Sequence, residues 1–151
     1  MTTQSTPLKL KALDYKDLRV ISACLQDALL FPSMMHYHKN ENVFVVLANR
    51  FCWEKEPILH EGQKLHHRVH SGVYFSHVNR VRLHGIHPIN NKHDVHSLLA
   101  VHGDVNGEVH LLFSGGKAIC LHVEKIKCHL KDLHEPWWTH QKPEHVFEQA
   151  A

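Results

Sequence analysis

One stretch of this chain repeats its apolar residues clearly with the period of a helix, and it comes near the start. Leu18, Ile21, Cys24, Leu25 and Leu29 follow the i, i+3, i+4 spacing that lines one helical face. Asp14 is placed to cap the first turn, and Asp17 sets a negative charge near its positive end. Together these features predict a helix from about Tyr15 to Ala28. Pro32 stops any continuation, because it lacks the N–H the next turn needs.

Beyond Pro32 the spacing changes to that of strands. Met34–His38 is read as a short strand, the polar Lys39-Asn40-Glu41-Asn42 as a hairpin turn, and Val43 to Trp53 as a strand covered on both faces. Glu54 to Gln63, with Pro57 and Gly62, reads as a loop. Further strands are expected over Arg68–Phe75, Val78 to about Ile86, Ser97–His102, Glu108–Phe113 and from Ile119 to Val123. Ser114-Gly115-Gly116-Lys117 closes a tight hairpin, where glycine reaches positive φ at little cost. In the strand after it, Ile119, Leu121 and Val123 face one way, Cys120 and His122 the other. Ile126, Leu130 and Leu133 suit a short helix, Ile126, Cys128 and Leu130 a strand; the helix is preferred. One tryptophan of Trp137-Trp138 is expected to plug the core edge.

The expected architecture is α+β. An N-terminal helix packs on a curled antiparallel sheet of six or seven strands, an element count that would suit a pleckstrin-homology-like barrel. A length of 151 residues is one ordinary domain, assigned to residues 8–140, with flexible tails at 1–7 and 141–151.

Histidine sets the chemistry. There are 18, against 17 lysines and arginines together. Histidine titrates near neutrality and is the commonest metal ligand, so the excess allows a metal store, a pH sensor or weak bases on a wetted surface. His36 and His38 share a strand face. His66, His67 and His70 have helical spacing in a segment read as strand. His84/His87 and His93/His96 are further pairs, and His60-Glu61 lacks the second histidine of the H-E-x-x-H signature. The imidazoles are therefore expected to be scattered decoration rather than a converging cage; metal ligands stay unassigned and no cofactor is indicated.

Other sites are weaker. Cys24, Cys52, Cys120 and Cys128 form no C-x-x-C pair and read as reduced thiols of a cytoplasmic protein. No apolar run approaches the ~18 residues of a membrane span. There is no G-x-S-x-G elbow, and Ser114–Lys117 joins two strands rather than the strand and helix of a phosphate loop. Net charge is +2 without lysine or arginine blocks, so a nucleic-acid footprint is weak.

Several segments together resemble one family. They are Leu10-Lys11-Ala12-Leu13-Asp14, the stretch from Asp17 to Ala28, Asn49-Arg50-Phe51-x-Trp53-Glu54, Arg82-x-x-Gly85-Ile86, Leu112 to Ile126, and Leu130-x-Asp132-Leu133-x-x-Pro136-Trp137. Over roughly residues 8 to 143 the chain is similar to an uncharacterised, mainly alphaproteobacterial domain-of-unknown-function family, number 2948 of that series. The resemblance implies a small bacterial protein and brings no activity, ligand or catalytic residue. It sets arginines where this chain has His66, His67, His70, His77 and His84, which favours interchange among basic residues over a shared metal site.

The expectation is thus a non-enzymatic binding or adaptor module with a protein or peptide partner. A histidine-rich metal-binding protein and a weak nucleic-acid binder are the alternatives. Asn49, Arg50, Trp53 and Glu54 are the candidate binding residues, a polar-aromatic cluster ending an apolar strand. The opposing reading puts Trp53 in the core and makes Arg50 a solvated neighbour.

Overall fold

The computed structural model of the chain describes residues 7–144. Asp14 caps α1 (Tyr15–Cys24) as its spacing requires: its side chain accepts from the Asp17 backbone N–H at 2.7 Å. Asp17 in turn accepts from Leu13 N–H at 3.0 Å. Leu18 and Ile21 of this helix, and Leu25 at its C-cap, are fully buried. Three such side chains contribute roughly 1.5–3 kcal/mol each, against about 1 kcal/mol for a cap. Packing therefore holds the helix, and the cap sets where it starts. It stops at Cys24, short of the expected Ala28.

Eleven strands follow and flank it: β1 (Lys9–Ala12), β2 (Leu29–His38), β3 (Val43–Phe51), β4 (Ile58–His60), β5 (Gln63–Phe75), β6 (Val78–His84), β7 (His96–Gly103), β8 (Glu108–Phe113), β9 (Ala118–Val123), β10 (Cys128–Asp132) and β11 (Trp137–Thr139). All pairings are antiparallel. The order along the sheet is β1-β10-β5-β3-β2-β7-β8-β9-β6, with β4 and β11 added on β5. β1 and β6 end the path without pairing with each other, so the sheet is open.

This corrects the expected fold class. Among the described residues the protein is mostly β, with one α-helix and eleven strands rather than an α+β fold of six or seven, and no closed pleckstrin-homology-like barrel forms. The miscount has local causes. Leu8 to Ala12 reads in the sequence only as a short extended lead-in, Ile58–His60 falls in the expected loop, and Cys128–Asp132 falls in the segment read as helix. Each is too short to display a period, and each becomes a strand because a neighbour offers its backbone groups: β10 for β1, β5 for β4 and β10. Burial settles the ambiguous segment. Cys128, Leu130 and Asp132 are buried and His129 and Lys131 are not, a period of two. Pro32 lies within β2, at the register break between Leu30 and Met35, where no ladder N–H is needed.

The hairpin turns fall where the polar and glycine-rich segments put them. Asn42 adopts a left-handed conformation (φ 57°) after a 3₁₀ turn over Lys39–Glu41, and Gly115 and Gly116 do so at φ 79° and 73° between β8 and β9. Gly103 answers a different need, that of close approach. A Cβ there would lie 2.8 Å from Leu18 Cδ1 and 2.9 Å from Ile126 Cδ1. Its bare Cα is what lets α1 settle on the end of β7. Neither tryptophan plugs the core: Trp137 packs with tilted rings against His70 at 4.8 Å, and Trp138 likewise against His67 at 4.0 Å and is half exposed. The expected tail over 145–151, and residues 1–6 of the other, lie outside the described residues.

Candidate functional site

Alternation along β3 divides the four candidate binding residues. Phe44, Val46, Ala48 and Arg50 share the core-facing parity, so Arg50 enters the interior. It is 0% exposed. A buried guanidinium demands partners for its donors, and β10 and the turn after β3 supply them. Arg50 donates from Nε to Asp132 Oδ1 (3.2 Å) and from Nη2 to Asp132 Oδ2 (2.9 Å). It also donates from Nη1 and Nη2 to the two Glu54 oxygens, both at 2.9 Å. Asp132 accepts further bonds from Ser71 Oγ (2.6 Å) and from Leu8 N–H (3.0 Å).

The register explains the convergence. Asp132 lies opposite Ser71, and Ser71 opposite Ala48, two residues before Arg50. Three neighbouring strands thus each place one polar side chain on the core-facing parity, at the same end of the sheet. Burial alone would raise both carboxyl pKa values. The hydrogen bonds from Arg50, joined at Asp132 by the one from Ser71, outweigh it and hold Asp132 and Glu54 below the usual carboxylate range. For Arg50, burial is likewise outweighed by the bonds to Glu54 and Asp132, so the cation is reinforced. Sequence reasoning missed Asp132 and Ser71. The available signal was parity: an arginine in step with Phe44, Val46 and Ala48 is a buried arginine.

Above this network lies a cleft of about 340 Å³ lined by Glu54, Lys55, Asp132, His134, Glu135 and Pro136, among others. Two of its carboxylates, Glu54 and Asp132, are bonded to Arg50, which limits what they can offer a ligand.

Asn49 and Trp53 have other surroundings. Arg68 Nη1 donates to the Asn49 side-chain oxygen at 3.1 Å and to its carbonyl at 3.2 Å. The same guanidinium lies 5.6 Å from the Phe51 ring centre. Trp53 Nε1 donates to Gln26 O at 2.8 Å, which fixes the indole, and the Phe51 and Trp53 rings sit 4.5 Å apart. Against this ring pair opens a second cleft, of about 290 Å³, lined also by Lys55, Glu56, Lys64, His66 and Lys142. Partial burial, then Lys142 and Lys64, depress the His66 pKa, so the ring is neutral at pH 7 and the cleft's positive charge comes from its lysines.

The remaining chemistry is limited. Burial pushes the Cys52 thiol up to about 11 and Cys128 to about 12, which silences both as nucleophiles at neutral pH. His66 and His70 lie four apart on β5, roughly 13 Å along a strand, so the H-H-x-x-H spacing makes no shared site. His36 and His38 have rings 6.4 Å apart. Among the described residues two groups could hold a metal ion, Glu108–Cys120–His122 and Asp104–Glu108–His110, each with one imidazole. Not every histidine is surface decoration: His96 is 4% exposed, and its Nε2 has no hydrogen-bond partner among the described residues.

No helix among the described residues is long and apolar enough to cross a membrane. The chain matches no curated protein and no solved structure. One family model does match it, described as "Protein of unknown function (DUF2948)", over residues 8–145. That match spans nearly the whole chain, as the resemblance of its motifs implied, and the protein belongs to the family of unknown function DUF2948.

Proposed function

We propose that the protein is a binding module that takes an acidic peptide segment of a partner protein in the cleft on Trp53. The observation that carries this reading is the convergence of Lys64 and Lys142 on the cleft beside the Phe51–Trp53 ring pair. Rigid aromatic surface with a cationic rim is a pairing that recognises aromatic and carboxylate groups together. The indole is held in place by its bond to Gln26, so little ordering entropy is lost on binding. In this reading Asn49 steadies Arg68 beside Phe51. Arg50 and Glu54 act as a frame that positions the turn carrying Trp53, rather than as ligand contacts.

The test is fluorescence anisotropy with labelled peptides, one series rich in glutamate with an aromatic residue, one with lysine in place of glutamate. Selective binding of the acidic series is expected, weakening about tenfold or more in Lys64→Glu/Lys142→Glu, since two exposed charges near a ligand contribute up to about 1 kcal/mol each. Equal binding of both series overturns the proposal. A single-stranded oligonucleotide that binds where the peptides do not would replace it with the nucleic-acid reading.

A further inference from the structure

The outer face of the β8–β9 hairpin gathers metal-ligand chemistry that the peptide cleft does not use. Val109 and Leu111, with Ile119 and Leu121, point into the core, so Glu108, His110, Cys120 and His122 share the opposite face. The register pairs Glu108 with His122 and His110 with Cys120, a two-by-two block of potential donors on adjacent strands. Cross-strand neighbours of this kind stand about 5 Å apart at Cβ. The ligand atoms of Glu108, Cys120 and His122 all lie within 4.8 Å of one another. Glu108 Oε1 and His122 Nδ1 are already 3.7 Å apart. A tetrahedral zinc ion with bonds of about 2.0–2.3 Å wants its donors roughly 3.3–3.8 Å apart, so one edge of the site is in place.

We infer that Glu108, Cys120 and His122 form a site for a zinc-class divalent transition-metal ion. The donors are one carboxylate oxygen, one thiolate and one imidazole, a mixture suited to borderline-soft ions rather than to magnesium or calcium. His122 Nε2 is buried without a hydrogen-bond partner among the described residues, so this imidazole is not committed to a second acceptor. Glu108 and His122 each keep about a third of their side-chain surface in solvent, which leaves a path for the ion.

Arg82, on the neighbouring strand β6, is opposite Cys120 in register. Its Nη2 lies 3.5 Å from Cys120 Sγ and 3.5 Å from Glu108 Oε1. The guanidinium thus occupies the cation's place between two of the three donors. It must swing away for the ion to bind. His110 Nε2 lies 3.1 Å from Glu108 Oε2 and 3.5 Å from Asp104 Oδ2, on the far side of the carboxylate.

Titration of the full-length, reduced protein with Co²⁺ alone tests the site. A thiolate-to-cobalt charge-transfer absorption is expected at one equivalent, a signature that scattered imidazoles cannot produce. Cys120→Ser should abolish it, and His122→Gln should weaken binding about tenfold or more, the loss that even outer partners of a metal cause. Arg82→Gln should tighten binding severalfold by removing the competing cation, an effect no merely structural role would give. Zinc should bleach the band by displacement. Cobalt bound without the band, a band that survives Cys120→Ser, or weaker binding in Arg82→Gln overturns the inference. If Cys120→Ser fails to fold by circular dichroism, Glu108→Gln with His122→Gln decides the same question.

Discussion

Replacing Arg50 with methionine keeps most of the side-chain volume and removes four charge-assisted hydrogen bonds, at 2.9 to 3.2 Å. The two carboxylates then fare differently. The Asp132 side chain is 8% exposed and keeps only its bonds from Ser71 and Leu8. The Glu54 side chain is 42% exposed and returns to water. Breaking a buried ion pair from one side costs about 3–5 kcal/mol. The two surviving donors to Asp132 place Arg50→Met near the low end, about 3 kcal/mol. Glu54→Gln, which disrupts only the exposed arm, should cost about 1 kcal/mol or less. Arg50→Met/Asp132→Leu removes both buried charges but leaves Leu8 N–H and Ser71 without their acceptor, so it should cost less than the two single changes added, by about 2 kcal/mol. Urea unfolding followed by far-UV circular dichroism measures these three variants and Asp132→Leu alone, read as midpoint shifts at unchanged slope. If Arg50→Met costs no more than Glu54→Gln, burial does not govern this network and the reasoning fails.

Other outcomes follow from the same geometry. Because the Asp132 and Glu54 pKa values are lowered on folding, their stabilisation is present above about pH 4 and lost as pH falls through the folded values; Arg50→Met should flatten this acid limb in denaturant midpoints taken from pH 5 to 2.5. Histidine acts in a higher window. Burial chiefly depresses His66, His67, His96 and His129, so the unfolded chain binds more protons below about pH 6.5 and stability should fall there. His96→Gln should reduce the slope of that fall, and an unchanged slope would remove His96 from the account. Gly103→Ala should lower stability by about 1–3 kcal/mol through overpacking against the buried Leu18, and thermal unfolding at neutral pH checks it. Cys52 and Cys128, raised to about 11 and 12, should resist iodoacetamide at pH 8 in the native protein and react once urea is added, as peptide mass mapping would show.

Local patterning was enough for the helix and most of the central strands. The Asp14 cap, the Leu18–Ile21–Leu25 stripe and the alternation of Ile119, Leu121 and Val123 are written in neighbouring residues, and the structure keeps them. The extent of the sheet was not so written. β1, β4 and β10 are three to five residues long, and a segment that short is made a strand by the edge it meets. The candidate site divides along the same line. Asn49, Arg50, Trp53 and Glu54 stood out as a cluster, but Arg50 and Asp132 are 82 positions apart, and only the β10–β5–β3 register brings them together. The lysine rim around Trp53 and the Glu108–Cys120–His122 group likewise come from different strands or loops. Side-chain period is a property of adjacent residues and survives in the sequence. Which charge meets which depends on strand pairing over long separations, and that the folded chain alone decides.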